Sequence, residues 1–220
     1  MLHINTSTVH NGSMKSLDGS YASVLEIRRR FLGAHNIKPE DTTLVHITYD
    51  GDDYNRYHSI NDDAKGQGIT APTPQQSDAL VVTKPGHALF LPLADCIGAV
   101  IHDPKKNILM VSHLGRHNLE QFGGTRSIEF LKEHHDVNPA DLTVWLSPAA
   151  GKNTYPLFAF NNRSLHDEAT EQLLRAGVLL ENITVSPIDS ASDENYYSHS
   201  QFLKGNRPND GRFAIVAVMS

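Results

Sequence analysis

The 220-residue sequence holds one cysteine, Cys96, and one tryptophan, Trp145. A lone thiol excludes an intrachain disulfide framework. Lys and Arg number 19 against 25 Asp and Glu, a formal net charge of −6. Because those cations are scattered rather than clustered, a basic groove for nucleic acid is excluded as well. Long apolar runs are also missing. Those present, such as Ala79 to Val82 and Ile108 to Val111, are strand-length, well short of the roughly 20 residues a membrane helix needs. The opening MLHINTSTVHNGS lacks the basic start and apolar centre of a secretory signal, so the expectation is a cytoplasmic chain without membrane partners. What remains is an ordinary globular composition, 39% hydrophobic and 20% charged with 15 Gly and 11 Pro. It excludes disordered, collagen-like and coiled-coil classes. With no internal repeat and no linker composition, one domain over residues 1–220 is expected. Thirteen His direct attention to metal and acid–base chemistry.

Apolar spacing predicts a helix over Ala22 to Leu32 with Ser20 as its cap. A β-branched strand follows over Thr42 to Tyr49, then a long polar loop from Asp50 to Gln76. Further strands are expected at Ser77 to Thr83 and His87 to Leu93. A hairpin pairs Ile97–His102 with Asn107–Ser112. A helix runs from about Leu119 to Glu133, interrupted or delayed by Gly123-Gly124. Then come a strand over Asp141 to Leu146, a helix over Leu165 to Ala176 closed by Gly177, a short strand over Asn182 to Ser186, and a terminal strand over Arg212 to Val218 buried on both faces. This pattern reads as an α/β fold with a mixed sheet.

The hairpin brings the sole cysteine to an imidazole. A two-residue loop at Pro104-Lys105 pairs Asp103 with Lys106 and sets Cys96 opposite His113 on the same face. Three readings of such a pair stay open: a thiol nucleophile activated by histidine, two ligands of a zinc ion, or a buried small hydrophobe beside a strand-end histidine. His46, Thr48 and Asp50 share one face of their strand, so His46 or Asp50 is the candidate third ligand. Asp95 is the further member of the catalytic group, directed to the opposite face where it anchors backbone amides. Arg116 and His117, where the chain leaves the strand, are candidates to bind a polar or anionic substrate, or else solvated residues at a helix start.

The segment SDALVVTKPGHALFLPLADCIGAVIHDPKKNILMVSHLGR, with NGSM and VLEIRRRFL before it and YYSHSQFLKGNRPNDGRF near the end, resembles the multicopper polyphenol oxidase or laccase-domain family. That family is also described as purine nucleoside phosphorylases and peptidoglycan-editing factors. The resemblance implies a layered α/β/β/α sandwich like that of cysteine hydrolases, and a pocket metal site of one Cys and two His. Cys96 and His113 match two of those ligands; TYDGDD sets Asp50 at the third, with His46 four residues earlier. HLGRHN stands where the family has HAGWRG, placing Arg116 and His117 at its Trp and Arg positions. Zinc is implied rather than a copper cluster, since the chain has no His-x-His pair and one thiolate. The implied reaction is phosphorolysis or deamination of a purine nucleoside, with phosphate received by Arg116, Arg163 or Arg212. Two rivals accompany this reading: a catalytically altered member that binds or regulates, and a metal-free Cys–His hydrolase. The oligomeric state is left open.

Overall fold

The computed structural model describes residues 1–17, 20–71 and 76–220. Its strands are β1 (Leu2–Thr6), β2 (Thr42–Leu44), β3 (Tyr57–Ser59), β4 (Ala79–Val82), β5 (Ala88–Leu93), β6 (Ile97–Asp103), β7 (Ile108–Leu114), β8 (Thr143–Leu146), β9 (Ile183–Val185) and β10 (Phe213–Met219). Its α-helices are α1 (Tyr21–Ala34), α2 (Arg116–Glu120), α3 (Gly123–His135), α4 (Leu165–Arg175) and α5 (His199–Leu203). Among the described residues the strands form two mixed sheets, a four-stranded one in the order β1-β10-β5-β2 and a six-stranded one in the order β3-β4-β7-β6-β8-β9.

Alternation along the strands builds the layers. In β10, Phe213, Ile215, Ala217 and Met219 face the gap between the sheets, where Leu80, Val82, Val100, Leu109 and Val111 meet them. The intervening Ala214 and Val216 face outward onto Phe31 and Leu32 of α1. On the far side of the six-stranded sheet, Val81, Ala99, Ile101 and Met110 pack against Ile128 and Leu131 of α3 and Leu165, Ala169 and Leu173 of α4. The result is the expected α/β/β/α sandwich. β10 is buried on both faces because the other sheet covers one and α1 the other, while β1 and β5 pair with its two edges. Gly98 of β6 lies under the other sheet: a Cβ there would come within 2.9 Å of Leu93 Cδ1.

The helices begin and end where the local chemistry says. Ser20 accepts from Ser23 N–H to start α1. Ser164 and Asp167 form a capping box at α4, and Gly177 follows that helix at φ +98°. The Gly-Gly pair does divide the third helical region. Phe122 turns at φ +61° between α2 and α3, and Gly124 admits Gln172 of α4, whose Cβ would lie 2.9 Å from an added methyl.

Three local expectations are corrected. The strand over Thr42–Tyr49 pairs regularly only as far as Leu44. Beyond it His46 exchanges hydrogen bonds with Ser77 and Arg56 takes the Thr48 carbonyl, so period-two alternation over His46, Thr48 and Asp50 ends. The long polar loop contains the edge strand β3, paired in parallel with β4; its residues 72–75 lie outside the described residues. Finally, the hairpin turn is two residues longer. Asp103 pairs with Ile108, and its carboxylate accepts from Lys105 N at 2.8 Å and Lys106 N at 3.0 Å. Asn107 completes the reversal at φ +54°.

Candidate functional site

The longer turn moves the register by two, which leaves parity intact. Gly98, not Cys96, faces His113, and Cys96 lies one step beyond β6 on the face that His113 shares. The two side chains therefore meet on a diagonal. Their meeting point is the open side of Gly115: a Cβ there would lie 2.8 Å from Cys96 Sγ and 3.1 Å from His113 Nε2. Gly115 has φ −91°, an ordinary value for any residue, so the glycine is required by space and not by backbone angle.

Cys96 is half-buried. Burial pushes its thiol up to about 12; the neighbouring Asp95 carboxylate acts in the same sense, against Arg212, Arg116 and a hydrogen bond from the Arg116 backbone N–H. His113 is buried, which holds its imidazole down at about 4. The pair is thus a neutral thiol beside a neutral imidazole at pH 7, not a thiolate–imidazolium pair. His113 Nδ1 and Asp95 Oδ1 are buried without hydrogen-bond partners. Asp95 turns at φ +73°, and its other oxygen accepts from Ser200 N at 2.7 Å. It fastens the start of α5 to the Cys96 bend, the amide-anchoring role its position suggests.

No third donor joins the pair. Among the described residues no three His, Cys, Asp or Glu side chains converge as a metal would require. Asp50 is exposed and His46 half-buried, but neither forms such a group with Cys96 and His113. The peeling of the chain after Leu44 is the physical reason. A catalytic zinc centre takes three protein ligands and an open position; with two donors in place, the described residues do not fit that ion.

The three arginines separate by their partners. Arg212 gives its Nη1 to Asp210 at 2.7 Å, a carboxylate it shares with His199 and Lys15. Arg163 pairs with Glu171, and with Glu168 at 3.4 Å. Arg116 is exposed and makes no ion pair among the described residues; its Nη2 lies 3.3 Å from His117 Nε2. His117 itself stacks on Tyr54, the ring centroids 4.6 Å apart.

One pair that sequence reasoning passed over supports this arrangement. Asp78, 1% exposed, accepts from Arg56 Nε at 2.7 Å and from Arg56 N at 3.0 Å. The Asp78 carbonyl accepts from His113 N at 2.8 Å. Arg56 also holds Thr48 through both its carbonyl and its hydroxyl. The signal was an aspartate opening the otherwise apolar strand SDALVVT, a position where a buried charge demands a partner. A cleft of about 1090 Å³ opens elsewhere, along β3, bounded by Tyr57, His58, Phe130 and His134. Neither Cys96 nor His113 lines it.

A family model described as multi-copper polyphenol oxidoreductase laccase matches residues 7–164. No curated protein matches the chain by sequence. Among solved structures, YlmD from Geobacillus stearothermophilus superposes with a TM-score of 0.86 at 19% identity, over 99% of this chain and 92% of that one. The hypothetical protein YfiH of Bacillus licheniformis gives 0.85 at 17% identity, over 100% and 93%. A Neisseria meningitidis protein gives 0.73 at 14% identity, over 100% and 94%. At these identities the likeness establishes the shared fold. No helix among the described residues is long and apolar enough to cross a membrane.

Proposed function

The chain belongs to the multi-copper polyphenol oxidoreductase laccase family, and from that premise we propose that it cleaves purine nucleosides with phosphate beside Cys96 and His113. The observation that supports phosphorolysis over deamination is Arg116, an exposed cation beside the thiol and imidazole with no carboxylate partner among the described residues. Arg212 and Arg163 are each already paired with a carboxylate. Arg116 is left to bind an anionic co-substrate, as a guanidinium does by paired N–H donation. Deamination instead needs an activated water, and an imidazole held at about 4 is too weak a base to generate one near neutral pH.

In the reaction an oxygen of monohydrogen phosphate bonds to the anomeric carbon while the glycosidic C–N bond breaks, its electron pair leaving with the base, which takes up the proton that the phosphate gives up. Arg116 holds the phosphate. Neutral His113 offers a hydrogen bond to the sugar hydroxyls, and the Cys96 thiol fills the floor. Hypoxanthine release from inosine, followed spectroscopically with and without phosphate, tests this. Phosphate-dependent release that falls at least tenfold in Arg116→Ala is expected. Ammonia release from adenosine without phosphate would replace phosphorolysis by deamination, and no turnover of either nucleoside would leave the non-catalytic binding role.

Zinc is the rival reading that the two-donor set of Cys96 and His113 disfavours. Metal content of purified protein decides it: one zinc per chain, lost in Cys96→Ala, establishes it, and substoichiometric metal removes it.

A further inference from the structure

Beside Arg116, through its contact with His117, lies a group of three aromatic rings. Tyr54 and His117 are stacked with their planes 21° apart. Tyr49 approaches both, its ring centroid 6.3 Å from His117 and 6.5 Å from Tyr54. Tyr49 is nevertheless 63% exposed, while Cys96 and Arg212 stand within electrostatic reach of its hydroxyl. The Tyr49 ring is packed against Tyr54 and His117 and open beyond them, and His117 ties the group to Arg116.

The segment carrying these rings is held at both ends. Ahead of Tyr49, Arg56 grips Thr48 O at 2.8 Å and Thr48 Oγ1 at 3.0 Å. After it, Gln121 of the turn that follows α2 donates to Asp52 O at 2.6 Å and accepts from Tyr54 N at 3.0 Å. Asn118 of α2 donates to Tyr54 O. These bonds set the rings before any ligand arrives, so little ordering is left to oppose binding.

We infer that the exposed face of Tyr49 is a stacking platform for the planar heteroaromatic base of the substrate. Tyr54 and His117 back the platform, and the sugar and phosphate end points toward Cys96, His113 and Arg116. This assigns a base subsite within the proposed reaction and rests on that reading. Base–aromatic stacking discriminates little among bases, because every base has a π face. The subsite therefore supplies affinity, and selection between bases falls to other contacts.

Calorimetric binding of hypoxanthine and of uracil, to the wild type and to Tyr49→Leu and Tyr49→Phe, tests the platform together with inosine kinetics. Tyr49 is exposed enough for both substitutions to leave the core untouched. Tyr49→Leu is expected to weaken hypoxanthine binding about tenfold and to raise KM for inosine in proportion with kcat retained, and Tyr49→Phe to restore both. Hypoxanthine binding equal in the wild type and Tyr49→Leu would overturn the platform while leaving the purine reading intact. Uracil binding that depends on Tyr49, without any hypoxanthine binding, would keep the platform and refute the purine reading. Binding of neither base to the wild type would refute the platform.

Discussion

Gly115→Ala adds a single carbon at the point where the thiol and the imidazole converge. Its position follows from the backbone: 2.8 Å from Cys96 Sγ, 2.9 Å from His113 Cε1 and 3.1 Å from His113 Nε2. Favourable carbon contacts lie at about 3.5–4.0 Å, so at least one of the two side chains must move by roughly half an ångström or more. Overpacking of this kind costs about 1–3 kcal/mol, which for a chain of this size lowers Tm by about 3–10 °C. The protein still folds, because φ at residue 115 suits alanine. Turnover suffers more than stability, since displacement of reacting groups by about 1 Å costs on the order of 100-fold in rate. Gly33→Ala is the matched control. Gly33 lies in α1 with nothing within 4 Å of an added Cβ, so the same carbon gains about 0.5–1 kcal/mol of helix stability there. Calorimetric melting and phosphate-dependent nucleoside cleavage read both variants. An unchanged Tm and full turnover in Gly115→Ala would refute the crevice as the reaction site.

Two further substitutions test the frame around the site. Arg28 of α1, buried and without a carboxylate partner among the described residues, donates to Met14 O at 2.7 and 3.1 Å and to Gly68 O at 2.8 Å. Arg28→Met leaves those carbonyls unsatisfied and is expected to cost about 3 kcal/mol in urea unfolding; a loss under about 1 kcal/mol would refute the role given to these bonds. His87 is held neutral by burial at about 4. Thr43 spends its one hydroxyl proton on Ala64 O at 2.7 Å, so His87 Nε2–H is the donor in the 2.8 Å bond to Thr43 Oγ1. The unfolded imidazole binds its proton first, near its ordinary value of 6.5. Its contribution is therefore complete above that pH and is lost as pH falls toward 4, about 1–2 kcal/mol being gone by pH 5. His87→Gln should flatten the difference between urea midpoints at pH 7.5 and 5, and an unaltered slope would refute the assignment.

Where local chemistry decides an element, the sequence is a sufficient guide. Ser20 and Ser164 start helices, Gly177 ends one, and the alternating apolar residues of β6, β7 and β10 find their faces. The hairpin shows both the reach and the limit of such reasoning. Period-two parity placed Cys96 and His113 on one face, and it survives a change of two in the loop. Which residue stands opposite His113 depended on the Asp103 carboxylate capping a longer turn, a competition between side-chain and backbone hydrogen bonds that spacing does not resolve. The same limit explains Thr42–Tyr49. Its β-branched composition is right for a strand, yet Arg56 and Ser77 draw the chain off the sheet after Leu44.

Taken alone, the sequence determined the α/β class with a mixed sheet and the approach of the only thiol to an imidazole, because both rest on periodicities of the chain itself. Tertiary structure decided which of Arg116, Arg163 and Arg212 is left without a carboxylate among the described residues, that a third metal donor is missing among those residues, and that Tyr49 stands open beside His117. Those outcomes depend on pairings between segments distant in the chain, such as Arg212 with Asp210 against Arg116 with none. Composition and local spacing carry no information about which of several like charges finds its partner once the chain has closed on itself.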